Sequence, residues 1–140
     1  MPPVYASTAP EWLETVRTLP VGTELAFWQP TPAEPKRIAD GERWYFKEVG
    51  RPLIHGFGLF RRWERGSLAD LFKRYGLATG YRTADELARG IQALREDASL
   101  ATEVGNVILS GFNGFDPPRN LAALGLDDLS VRFRYIEAND

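Results

Sequence analysis

Arg43-Trp44-Tyr45-Phe46-Lys47-Glu48-Val49-Gly50-Arg51-Pro52-Leu53-Ile54-His55-Gly56-Phe57-Gly58-Leu59-Phe60-Arg61-Arg62-Trp63 is the stretch that decides the fold. Trp44, Phe46 and Glu48 alternate with Tyr45, Lys47 and Val49, the period of a strand with one face toward a core. Gly50–Pro52 reads as a turn, and Leu53–Trp63 as a long apolar strand. Gly56 and Gly58 inside that strand mark a bulge or the close approach of a ligand or another backbone.

Working outward, Val4–Ser7 reads as a first strand. Pro10 suits the first turn of a helix to Leu19, with Trp12, Leu13 and Val16 on one face and Pro20 as its stop. Glu24–Gln29 is a strand in which Leu25 and Phe27 alternate with Ala26 and Trp28, and Pro30, Pro32 and Pro35 stiffen the loop behind it. Ser67 caps a helix carrying Leu68, Leu71, Phe72 and Tyr75 that closes at Gly76. Thr83 and Glu86 form a capping box for a second helix bearing Leu87, Ile91 and Leu94. Asn106–Ser110 has a buried-strand pattern, followed by a glycine-rich loop from Gly111 to Phe115 and then Pro117-Pro118. Val131–Glu137 reads as the last strand. Five or six strands with helices, and no regular βαβ alternation, predict an α+β domain with a small mixed sheet or barrel. No repeat or long linker divides residues 1–140, which are expected to form one domain.

The composition limits the chemistry. The 140 residues include no Cys and one His, His55, so thiolate zinc sites, thiol nucleophiles and paired-histidine centres are excluded. No metal or cofactor is expected. No apolar run approaches the ~20 residues needed to span a bilayer, residues 1–20 lack a signal-peptide core, and a cytoplasmic protein without membrane contact is expected. The net charge of −2 conceals an uneven distribution. Between Lys36 and Arg82 eleven basic residues face five acidic ones, a net of +6, whereas the remainder carries −8. Arg61, Arg62 and Arg65 flank Trp63 in the densest cluster, a combination that can grip a phosphate backbone and stack on an opened base.

The Gly56-Phe57-Gly58 pair lacks the third glycine and the following helix of a dinucleotide loop. Asp127-Asp128 and Glu96-Asp97 read as solvated acidic pairs. Trp28 is out of phase with Leu25 and Phe27 and is expected to face a cleft, with Tyr45 and Lys47 out of phase in the next strand. Phe112, Asn113 and Phe115 lie in the glycine-rich loop. Aromatic rings with an amide or lysine nearby are the equipment for holding a flat heterocycle.

The run Glu24-Leu25-Ala26-Phe27-Trp28-Gln29-Pro30, preceded by a helix, resembles the "NFW(R/Q)P" strand opening a PUA-like domain at the N-terminus of HNH-type restriction endonucleases. Trp44-Tyr45-Phe46-Lys47 is similar to that family's "FFFK" strand, and Ile54–Phe60 to its "IVGGGFF" strand. Val104–Phe112 is similar to its "IGCxxLxxPFFF" segment. This sequence departs at Ala26, at His55-Gly56-Phe57-Gly58 and at Asn113-Gly114. The resemblance covers most of residues 4–120. It implies a partly open PUA-like β-barrel with flanking helices, related to EVE, ASCH, YTH and SRA domains. It also implies a non-catalytic DNA-binding module, the specificity part of a modification-dependent restriction system. An HNH nuclease domain, in cis or in trans, would do the cutting.

Carried onto these residues, the expectation is a modified base, 5-methyl- or 5-hydroxymethylcytosine, flipped between Trp28, Tyr45 and Phe112. Lys47, Asn113 or Asp116 would bond its edge. Lys36, Arg37, Arg61, Arg62, Arg65, Lys73 and Arg74 are the expected phosphate contacts. Three alternatives stand beside this reading: an RNA-binding module, a small hydrolase using His55 and Asp116, and a protein-interaction module.

Overall fold

In the computed structural model, which describes residues 4–29, 38–126 and the backbone of Val131–Phe133, the hairpin at 43–67 is the centre of a mixed sheet. Strands β1 (Val4–Thr8), β2 (Glu24–Gln29), β3 (Arg43–Glu48), β4 (Leu53–Ser67), β5 (Glu103–Asn120) and β6 (Val131–Phe133) lie in the order β2-β5-β4-β3-β1-β6. Helices α1 (Pro10–Val16), α2 (Leu68–Tyr75) and α3 (Ala84–Gln92) flank it. The sheet curls without closing. The α+β class and the partly open, curled sheet with flanking helices are therefore as the sequence predicts.

Antiparallel pairing joins β3 to β4, β4 to β5 and β5 to β2, while β1 runs parallel to both β3 and β6. Alternation in β3 is obeyed: Trp44 and Phe46 are fully buried, and Tyr45 and Lys47 are half-buried. Phe27, on β2, and Trp12, on α1, complete an aromatic core. Trp12 lies 5.1 Å from Phe46 and 5.3 Å from Phe27, whose ring is 5.4 Å from that of Trp44. Such pairs add about 0.5–1.5 kcal/mol each to the area they bury. Gly56 has φ +152, and a Cβ there would run into the Asn113 carbonyl of β5, so the expected close backbone approach is real.

Ser67 ends β4 and caps α2, its Oγ accepting from the Asp70 N–H at 3.2 Å. Thr83 accepts from the Glu86 N–H at 3.1 Å in the expected cap of α3.

Several expectations are corrected. The segment Gly111–Phe115 is not a loop: β5 runs unbroken through it to Asn120, pairing Phe57 with Asn113 and Leu53 with Asn120. Its partner β4 is long enough to offer backbone groups throughout, and register shifts absorb the turn-forming residues. The prolines fall within one such shift, between the Gly56–Gly114 and Ile54–Arg119 pairs, where no ladder N–H is required. Helix α1 stops at Val16 rather than Leu19, and Leu94 lies beyond the end of α3 and is exposed. Pro30, Pro32, Pro35, Asp127-Asp128 and the expected strand beyond Phe133 lie outside the described residues.

Candidate nucleic-acid interface

The arginine cluster forms a neutral lattice. Arg62 on β4 donates to both carboxylate oxygens of Glu24 on β2 at 3.0 Å and to Glu64 at 2.7 Å. Arg74 donates to the other oxygen of Glu64 at 3.0 Å, and the Tyr75 hydroxyl does so at 2.6 Å. Arg65 pairs with Glu103 at 2.7 Å and Arg61 with Asp40 at 3.6 Å. Four guanidiniums thus meet four carboxylates. The Arg62 hydrogen bonds hold Glu24 below the usual carboxylate range. Burial pushes Glu64 up, but its bonds to Tyr75, Arg62 and Arg74 outweigh that and leave it lowered. In this lattice four of the eleven basic residues in the positive middle of the sequence are therefore held by carboxylates, and Arg62, Arg65 and Arg74 cross-link β2, β4, β5 and α2. Lys73 is exposed on α2, and Lys36 and Arg37 lie outside the described residues.

The expected base pocket is dispersed. Trp28, expected at a cleft, is 4% exposed and belongs to the core, because β2 is covered on both faces. Phe112 stacks on Phe46, 5.7 Å away at 13°, and so lies on the helix-covered side of the sheet. Tyr45 packs in a second cluster with Tyr5, Ile54, Leu126 and Phe115. Lys47 donates to the Glu48 carbonyl at 2.9 Å. Asn113 is exposed and donates to the Phe57 carbonyl at 3.1 Å, and Asp116 is exposed. Tyr45 and Asn113 are nevertheless related: the register places Tyr5, Tyr45, Phe57 and Asn113 in one row across β1, β3, β4 and β5.

That row carries features the sequence reading passed over. Phe57 lies 5.8 Å from Tyr45 and 5.9 Å from Phe115, so three half-buried rings form a ladder across β3, β4 and β5. Arg43 lies over Phe57, its guanidinium carbon 4.1 Å from the ring centroid, and donates to the Tyr45 hydroxyl at 3.4 Å. Arg119 lies over Phe115 at 4.3 Å. Neither arginine pairs with a carboxylate among the described residues.

Asn106 was also passed over. It is 1% exposed, stands beside Trp28 in the β2–β5 register, and neither its Nδ2 nor its Oδ1 has a hydrogen-bond partner among the described residues. A buried amide left so costs about 1–3 kcal/mol.

His55 meets Glu48, not Asp116. Its Nε2 lies 2.9 Å from Glu48 Oε1, and the imidazole hydrogen bond holds that carboxylate below its usual range. The pair lines a cavity of about 320 Å³ with Thr8, Leu13, Glu14 and Arg17, and Asp116 is not among its walls. This cavity therefore joins His55 to Glu48 rather than to Asp116.

No family model matches this sequence, and no curated protein does either. The curled sheet and its helices are similar in fold to solved ASCH structures. The crystal structure of the ASCH protein from Zymomonas mobilis superposes with a TM-score of 0.57 at 16% identity, over 86% of this chain and 74% of that one. Two single-site variants of that protein each give 0.58 at 16%, one covering 86% of this chain and 76% of its own, the other 89% and 80%. The likeness is one of fold. Among the described residues no helix is long and apolar enough to cross a membrane.

Proposed function

We propose that this chain is a non-catalytic nucleic-acid-binding module. One observation carries the reading: the cluster arginines are tied to carboxylates, whereas Arg43 and Arg119 sit on aromatic rings of the sheet with no acidic partner described. A guanidinium held over a ring and free of a carboxylate keeps N–H groups available for phosphate.

The narrower form of the proposal is recognition of a modified cytosine in DNA, as the specificity part of a restriction system with a separate HNH nuclease. Its support is the resemblance of the Trp28 strand and the amide of Asn106, paired with Trp28 in the sheet register and without a hydrogen-bond partner among the described residues. An amide that both donates and accepts can read the Watson–Crick edge of an extruded base.

The test is a fluorescence-anisotropy panel at two salt concentrations. It compares plain, 5-methyl- and 5-hydroxymethylcytosine DNA with matched RNA. Salt-dependent binding to at least one is expected, and its absence for all would remove the proposal. Equal affinity for all cytosine forms would remove the narrower version alone. Asn106→Leu separates the two roles of the amide. If Asn106 reads a base, preference falls; if it is only structural, preference is unchanged and stability stays level or rises.

A further inference from the structure

Resting on the nucleic-acid reading, we infer that the Tyr45–Phe57–Phe115 ladder is a stacking platform for an unpaired strand, with Arg43 and Arg119 as its cationic seats. The rings step across three neighbouring strands at 5.8 and 5.9 Å. Stacking requires the flat face of a base. A duplex presents only base edges in its grooves, while an unpaired segment splays its bases outward. A ladder on the face of a sheet therefore suits single-stranded DNA or RNA and fits a duplex poorly.

The two arginines make the occupant a polyanion rather than an apolar peptide. Each guanidinium is oriented by the ring beneath it, at 4.1 and 4.3 Å, and no carboxylate among the described residues competes for it. Arg43 is further fixed by the Tyr45 hydroxyl at 3.4 Å, and exposed Asn113 lies next in the row with an amide near the same path. The strand runs across β3, β4 and β5, bases against rings or guanidinium planes and phosphates at the N–H edges. Rings and cations then leave separable signatures: stacking is insensitive to salt, and each phosphate contact adds about 0.7 to the salt slope for a single strand.

The experiment uses the full chain with fluorescein-labelled 12-mers of single-stranded DNA, RNA and duplex DNA. Single strands should bind at least tenfold more tightly than the duplex. Phe115→Leu and Phe57→Leu, which retain apolar volume, should weaken single strands by about fivefold or more without changing the salt slope. Arg119→Gln should lower the slope by about 0.7. Arg65→Gln, in the neutral lattice, is the control, and circular dichroism verifies folding of each variant. Equal binding of duplex and single strands, or ring variants that bind like the parent, would overturn the platform while leaving the nucleic-acid reading intact. No binding of any oligonucleotide would overturn both. Comparison of the DNA and RNA arms assigns the sugar.

Discussion

Arg62 on β4 grips Glu24 on β2 across the intervening β5, with two hydrogen bonds of 3.0 Å each. The residues are 38 apart in sequence, and their contact turns a cationic run into a cross-brace.

Both side chains of that brace are nearly half exposed, so solvent screens the pair and its worth is about 0.5–1 kcal/mol. Arg62→Gln is expected to lower the unfolding free energy obtained from urea denaturation by that amount and to change oligonucleotide affinity less than twofold. A double-mutant cycle with Glu24→Gln isolates the coupling. A tenfold loss of affinity in folded Arg62→Gln protein would return the cluster to phosphate binding.

Acid should loosen the same brace. The folded-state pKa values of Glu24 and Glu64 lie below the ordinary value of 4.5. Their contribution is therefore complete above that pH and is lost as pH falls through the lowered folded values. Chemical denaturation between pH 6 and 3 should show stability falling below about pH 4.5, with a shallower fall in Arg62→Gln.

Trp28→Ala should fail in folding before it fails in recognition. The indole is 4% exposed within the core, and large-to-small changes of this kind cost about 3–5 kcal/mol. Thermal denaturation will show this directly, and an unchanged melting temperature would contradict the burial.

Gly80→Ala is expected to be among the most damaging small changes. A Cβ there would strike the indole of Trp12, and φ is +90, a region costly for L-residues. Overpacking and backbone strain together should remove at least about 2 kcal/mol. The readout is a Tm lowered by about 6 °C or more.

Most of the elements could be read in the sequence because their signals are local. Trp44 and Phe46 alternate with Tyr45 and Lys47, and the Ser67 and Thr83 caps each need only three residues of context. The extent of β5 could not be read. Gly111, Gly114 and two prolines signal a turn, and only the length of β4 opposite them keeps the chain extended. The site was less legible. Trp28 is out of phase with Phe27, but a strand buried on both faces makes phase uninformative. Phe57 was recognised as strand, but its face follows from the register with Tyr45, and Arg119 reaches the ladder only through the unforeseen half of β5.

The place of β1 between β3 and β6 has a consequence for how the chain assembles. Val4 is matched with Trp44 on one side and Val131 on the other, so one of the earliest segments waits for one of the last before its backbone is satisfied on both edges. Pairings that distant demand costly loop closure before they return any contact energy, which predicts slow, late docking of this seam. During synthesis the β3–β4–β5 body can form first, leaving a provisional edge along β1. Until β6 docks, the backbone groups along that edge of β1 stay unpaired.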